Sequence, residues 1–457
     1  MAMSDVLERR TVSEGGRMPL LASCLGMLTL GVNGTAIMAA LPTIRHDLGL
    51  SATQLEWAIN AYLIVSAACI IPGGKICDQA GARRVAIGGL VLFAVASVVV
   101  ATAGAPAALM AGRALQGLAA ALGVPATLAA VTEASAPDRH ASAIGAWAGF
   151  LMLGFSLGPL IGGALTHYAD WRVIFWASGL LMLVATVGFV VAGAPGAAAE
   201  ARRTARFDWI GFVLLATMMT ALVSALHALP EIARAPFGCI GWALLATVAF
   251  VALPKVERRA RDPLIELSIF KTPGFARAVG LGSIAMSCVL AFLLFYNLYA
   301  QSSTGLRLTP VSAGESLLPL SCGLLIFAFA APNLVRRFGQ RRVLVGGNLL
   351  MAVAGVVIAV TAVAVMWVPL VLGLFGIGAG LALPYATAPR LALAALPPAR
   401  AGAGSGIINA CTFLGGSIGV AGGAVAFALG GLPAVMGLIV AFALLGVWLS
   451  ASLPAKA

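Results

Sequence analysis

Charge is scarce in this sequence. Asp, Glu, Lys and Arg make up 10% of 457 residues, and hydrophobic residues make up 61%. Soluble domains carry roughly 25% charged residues. A water-soluble fold of this length could not cover its surface with so few charges, so lipid is left as the solvent of its apolar exterior. Cysteine is sparse too: the seven residues are scattered, mostly inside apolar runs and without paired spacing. That excludes a disulfide framework and a zinc ligand set, and they read as small apolar residues in packed helices. A phosphate-binding loop, a nucleophile–base constellation and a long polar domain are also missing. These absences argue against an enzyme and against a membrane-held sensor or scaffold, and no metal or cofactor is expected. The net charge of +12 would suggest nucleic acid on a soluble protein. Here Lys and Arg fall in short gaps between apolar runs and read as topology signals, so no nucleic-acid partner is expected.

What is present is a series of apolar runs long enough to span a bilayer, which takes about 20 residues each. They fall at 20–41, 55–74, 85–104, 107–131, 143–165 and 173–193, then at 209–229 and 237–253. The second half adds 278–299, 311–334, 343–363, 367–388, 404–427 and 432–453. The expected fold is an all-α membrane protein of about 14 transmembrane helices. The mostly polar N-terminal stretch before a long first run is unlike a cleaved signal peptide. With both termini cytoplasmic, the outer segments hold only Arg45, Arg172, Arg234 and Arg307 of the 28 Lys and Arg. Arg113 lies within a span, and all the others fall inside. One helix more or fewer would destroy that bias, so an even count is expected.

The chain repeats itself. Gly81-Ala82-Arg83-Arg84-Val85 is echoed by Gly339-Gln340-Arg341-Arg342-Val343, and Gly154, Gly158 and Gly162 by Gly415, Gly419 and Gly423. Two six-helix bundles in parallel pseudo-repeat follow, related about an axis along the membrane normal. The expected division is an N-terminal bundle (1–193), a linker with two inserted helices (194–253), an amphipathic cytoplasmic linker (254–277) and a C-terminal bundle (278–457). In the second linker Leu264, Ile265, Leu267, Ile269 and Phe270 suggest a strip lying partly on the membrane surface.

The loop after the second run, 74–84, holds Gly74, Asp78, Gly81, Arg83 and Arg84. Its glycines permit a tight turn, and its charges can form a cluster that breaks and reforms. The alternative is a solvated basic loop that only sets topology. The segment resembles the signature loop of the major facilitator superfamily. Arg113 with Gln116-Gly117 is similar to that superfamily's fourth-helix motif. Gly154, Gly158-Pro159 and Gly162-Gly163 are similar to the fifth-helix motif of its antiporters. Thr35 with Ala40-Leu41-Pro42 resembles the first-helix motif of the drug/proton antiporter branch. Trp57, Tyr62, Gln301, Gly305 and Pro319 fit the same branch. The match covers nearly the whole chain and points to the fourteen-helix drug/proton antiporters. The resemblance implies efflux of antibiotic-like compounds from a bacterial inner membrane in exchange for protons. It also implies that the 74–84 loop is a gate and that the fifth helix controls leak and direction. On the residues alone, glycines spaced by four make one helix face that a neighbour can approach closely, which is also what plain tight packing needs. Pro159 removes a backbone donor and favours a kink.

Ionisable groups inside spans are costly and tend to face an interior or a wet cavity. Arg113 and Glu315 are such groups. With Asn33 and Gln116 they form the expected proton and substrate pathway, with snorkelling to the interface as the competing reading. Glu56, beside an interface, reads as an ordinary helix-end carboxylate. One departure matters: the related antiporters often carry an acid at the position of Asn33, and an amide cannot carry a proton near neutral pH. Either Glu315 replaces it or transport is uncoupled from protons. An apolar wall with Met and aromatic residues suits a lipophilic or weakly cationic compound. The expected partners are a small molecule, protons and the bilayer, with the chain acting as a monomer. Metabolite uptake or exchange on the same fold is the alternative.

Overall fold

The computed structural model describes residues 17–136, 139–192, 208–229, 232, 236–260, 262–364, 366–397 and 400–453. Nearly every apolar run becomes one helix. The first six are α1 (Arg17–Leu48), α2 (Ala52–Ala80), α3 (Ala82–Ala101), α4 (Pro106–Ala134), α5 (His140–Tyr168) and α6 (Arg172–Val191). Two further helices follow, α7 (Trp209–Ala228) and α8 (Pro236–Glu257), then a short 3-10 turn (Leu267–Lys271). The second set opens with α9 (Phe275–Gln301) and α10 (Pro310–Phe338), which is interrupted at Leu317. It continues with α11 (Gln340–Ala364), α12 (Trp367–Ala394) and one element over Ala401–Ala451. That last element has non-helical backbone at Gly430 and Gly431, where Gly431 has φ 61°. It is far longer than one bilayer crossing needs. Its two arms fold against each other, since a methyl on Gly422 would lie 3.4 Å from Leu438. We call the arms α13 (401–429) and α14 (432–451), which gives fourteen crossings among the described residues.

Several helices run past their apolar runs because their ends project beyond the hydrocarbon layer. α1 reaches Leu48 and α4 reaches Ala134. Outward faces are apolar at helical spacing: Val91, Val95 and Val98 on α3, Val353, Val356 and Val360 on α11. Water would not tolerate such stripes, and lipid does. Helix starts follow local chemistry. Ser51 and Gln54 form a reciprocal capping box on α2, and Thr309 caps the helix that begins at Pro310.

The repeat is structural. α2 passes to α3 through Gly81 alone and α10 to α11 through Gly339 alone, with φ 89° and 81°. Those angles favour glycine, which explains why the same residue recurs at both joints. α5 packs against α1 backbone to backbone: a methyl on Gly154 would strike the Leu28 carbonyl, and one on Gly162 the Ala36 carbonyl. α13 packs on α9 in the same way, with Gly415 against the Ser283 carbonyl and Gly419 against that of Ser287. The pair α7–α8 stands outside this symmetry, and its α7 contacts α2 of the first set and the final element 401–451 of the second. The connection after α8 differs from expectation. Leu264, Ile265 and Ile269 are buried within the protein, so they do not form a membrane-surface strip. Lys75 Nζ donates to the Pro263 carbonyl at 2.6 Å, and the Glu257 carboxylate accepts from the Ile265 amide at 3.1 Å. These contacts hold the connection to the ends of α2 and α8.

Candidate functional site

A cavity of about 790 Å³ lies between the two six-helix sets. Met38, Ile59 and Arg113 line its deep end, and Ile144, Pro332, Pro389 and Arg390 its other end. The second group sits toward the basic ends of the helices, where Lys75, Arg83, Arg84, Arg341 and Arg342 lie. At the opposite end the two sets touch closely. Ser321 Oγ donates to the Ser156 carbonyl at 2.6 Å and Gln301 Nε2 to the Ala39 carbonyl at 2.9 Å. A methyl on Gly314 would lie 2.6 Å from the Pro159 carbonyl, and one on Gly163 would strike that of Pro310. Thus α5 and α10 meet over 156–163 and 310–321, while their stretches near 144–152 and 325–332 both line the space. The cavity is closed at one end and widens toward the basic end.

Three of the expected pathway residues meet at the closed end. Arg113 is fully buried. Its Nη1 donates to Asn33 Oδ1 at 3.0 Å and to Gln116 Oε1 at 2.7 Å, and its Nε donates to the Ala58 carbonyl at 2.9 Å. Its guanidinium carbon sits 4.7 Å from the Tyr62 ring centre, within cation–π range. The chain of bonds continues outward. Gln116 Nε2 donates to Ser97 Oγ at 2.9 Å, and Asn33 Nδ2 to Ser178 Oγ at 3.1 Å. One charge on α4 thereby fixes side chains from α1, α3 and α6. Glu315 is not part of this group. It is exposed in the short first piece of α10 and does not line the cavity. The break at Leu317 turns that piece so that Ala313 and Gly314 are the buried residues.

The glycine-faced α5 shows what its proline does. Pro159 has no N–H to offer the Phe155 carbonyl one turn back. Thr35 Oγ1 on α1 lies 3.2 Å from that carbonyl and 3.2 Å from the Gly31 carbonyl of its own helix, so its one proton is shared between the two. Gly158 faces the same threonine, whose hydroxyl a methyl would strike. In the loop, Arg83 donates to the Phe189 and Val190 carbonyls at 2.9 and 3.0 Å and so caps α6. Gly74, Asp78 and Arg84 are partly or fully exposed at the basic end, around the Gly81 joint.

One pair escaped the sequence. Glu56 Oε2 lies 2.7 Å from His227 Nε2, joining α2 to the inserted α7. Trp57 stacks on the same imidazole, and His227 Nδ1 lies 2.8 Å from the Val223 carbonyl. Both ring nitrogens therefore face oxygens. The only available signal was a lone histidine at the end of an apolar run, which does not name its partner.

Residues 23–420 match the Major Facilitator Superfamily. The tetracenomycin C resistance and export protein of Streptomyces glaucescens is 31% identical over 333 residues, covering 73% of this chain and 61% of that protein. The chain therefore spans less than two thirds of that relative. The puromycin resistance protein pur8 of Streptomyces alboniger is 30% identical, over 86% of this chain and 78% of its own length. The multidrug resistance protein Stp of Mycobacterium tuberculosis is 29% identical, over 88% and 74%.

Proposed function

From a chain that belongs to the Major Facilitator Superfamily, we propose export of small amphipathic, drug-like compounds across a bacterial cytoplasmic membrane by alternating access. The observation that carries this is the cavity between two pseudo-symmetric bundles, sealed at one end and widening at the other. Rocking the bundles about the α2–α13 and α5–α10 contacts would close the wide end and open the sealed one. The resistance and export proteins named above support the direction. Positive charge gathers at the wide end, so that end is assigned to the cytoplasm, with both termini on that side. The conformation described is then the one that loads substrate from the cell interior. Each bundle contributes to one cavity within a single chain, which supports a monomer as the working unit.

Proton exchange, implied by the resemblance, has no carboxylate among the described cavity residues to run through, since position 33 is an amide and Glu315 lies outside. Export is therefore proposed without it. The test is transport in inside-out vesicles across a panel of hydrophobic antibiotics and dyes. Accumulation in the lumen that depends on the protein is expected. Movement only in the reverse sense would replace export with uptake. A tag on the C-terminus reached from outside intact cells would overturn the orientation.

A further inference from the structure

The cavity wall carries two cations and no anion. Arg113 stands at the closed end and Arg390 at the wide end, and no described lining residue is Asp, Glu, Lys or His. Every hydrogen-bond acceptor around Arg113 is neutral: the Ala58 carbonyl, Asn33 Oδ1 and Gln116 Oε1. No described carboxylate lies within salt-bridge distance of it, and its Nη2 has no hydrogen-bond partner among the described residues. A buried guanidinium lacking a counter-charge is costly in a low-dielectric site, and an entering anion offsets that cost. Nη2, the one guanidinium nitrogen without a partner among the described residues, has its N–H donors left for a carboxylate or sulfonate. The rest of the wall is aromatic and thioether, with Trp147, Phe155, Tyr385, Met152 and Met286, and suits a flat apolar body. A cation in the same space would meet two like charges and no carboxylate among the described lining residues. This reverses the expectation of a weakly cationic substrate, which weighed the apolar wall without its charges.

We propose that the substrate is an amphipathic aromatic anion, and that its own charge couples export to the membrane potential without proton exchange. The proposal rests on the export reading above. Arg113 returns in each cycle, so the net charge moved is the substrate's. A potential negative inside drives an anion outward. At about 100 mV, about 2.3 kcal/mol per charge, this gives roughly fiftyfold accumulation of a monoanion. The cavity then needs no titratable group, and Asn33 in the usual acid position becomes intelligible: an acid there would neutralise Arg113, whereas the amide bonds Nη1 and leaves the positive charge uncompensated.

Three pyrene probes of one shape test this: pyrene-1-sulfonate, neutral 1-hydroxymethylpyrene and cationic pyrenylmethyl-trimethylammonium. The purified full chain is reconstituted in vesicles, and valinomycin with external potassium makes the lumen positive with no pH gradient. The sulfonate should accumulate by tens of fold, and the cation should not. A pH gradient with the potential clamped at zero should give no accumulation. Arg113→Met should abolish sulfonate transport. Because that variant could misfold, the near-isosteric Asn33→Asp is the companion, expected to cut sulfonate transport at least tenfold while keeping the elution profile of the parent. Transport of the cation in preference to the sulfonate overturns the substrate class and leaves export standing. Sulfonate accumulation driven by the pH gradient alone overturns the coupling. If antibiotics from the wider panel are exported and none of the three probes moves, the proposal fails. If nothing in either set moves, export fails first.

Discussion

The two six-helix halves are built alike and filled differently. In both, a glycine-faced fifth helix (α5 or α13) presses on the backbone of the first (α1 or α9), and one positive-φ glycine joins the second helix to the third. The interior of the N-terminal half, however, is polar around Arg113, with Asn33, Gln116, Ser97 and Ser178 bonded in series. At the corresponding depth the C-terminal half is largely aromatic, with Phe292 stacked on Tyr296 at 5.3 Å and Phe295 against Phe427 at 5.2 Å. The scaffold thus tolerates either filling. Packing of small residues sets the architecture, and a few buried polar groups in one half set the chemistry.

The sharpest way to break this comparison is to attack what the halves share. Gly158→Leu and Gly419→Leu should each eliminate folded protein, read as loss of the monodisperse peak in detergent chromatography. Both force a side chain into atoms of the partner helix, Thr35 in one case and the Ser287 carbonyl in the other. If only one fails, the halves do not share the same packing logic.

Next come substitutions in what they do not share. Arg113→Met should abolish transport and also lower stability, because the Asn33 and Gln116 acceptors lose their donor at about 1–3 kcal/mol each. Tyr296→Phe, which removes a 2.9 Å bond to Ser316 in the C-terminal half, should cost about 1 kcal/mol and leave transport rates nearly unchanged. Equal loss of transport in both would mean that the chemistry is spread across the halves.

A smaller difference separates two otherwise matched hydroxyls. Thr35 donates to the Phe155 carbonyl, which Pro159 has left without its helical partner. Ser287 donates to the Gly415 carbonyl at 2.6 Å, but Gly419 still has the N–H to satisfy it. Thr35→Val should therefore destabilise the fold more than Ser287→Ala, by about 1–2 kcal/mol against less than about 1 kcal/mol, and lower the melting temperature more. A reversed order in thermal shift would contradict the assigned role of the proline.

The smallest effect is expected in the 74–84 loop. Asp78 falls where the second repeat has Arg336 when Gly81 is laid on Gly339. Asp78→Asn should slow transport severalfold with unchanged expression and melting temperature. Full activity would leave the loop as a topology signal only.

Much of this was legible beforehand. Helix count, the repeat and the placement of basic loops come from run lengths and charge, because lipid forces every spanning segment to be apolar and internally bonded. Asn33, Arg113 and Gln116 were named from motifs, and the structure brings them within bonding distance. Glu315 lies apart from them, because an apolar run does not reveal a break at Leu317 that leaves the acid exposed. The strip at Leu264–Phe270 was assigned to the membrane surface because an amphipathic pattern does not say which apolar surface it meets. Glu56 was passed over because its partner lies on an inserted helix, far along the chain.

By itself the sequence determined that this chain lives in a bilayer, how often it crosses, which ends are basic and that its halves are related. Those properties depend on local composition and period, which the bilayer reads one segment at a time. The tertiary structure decided which charges share a space. Arg113 and Arg390 lie in different halves, and only the packing of the two bundles puts them on one wall with no carboxylate between them. Electrostatics inside a low-dielectric cavity depends on three-dimensional distance, and residue order along the chain does not encode it.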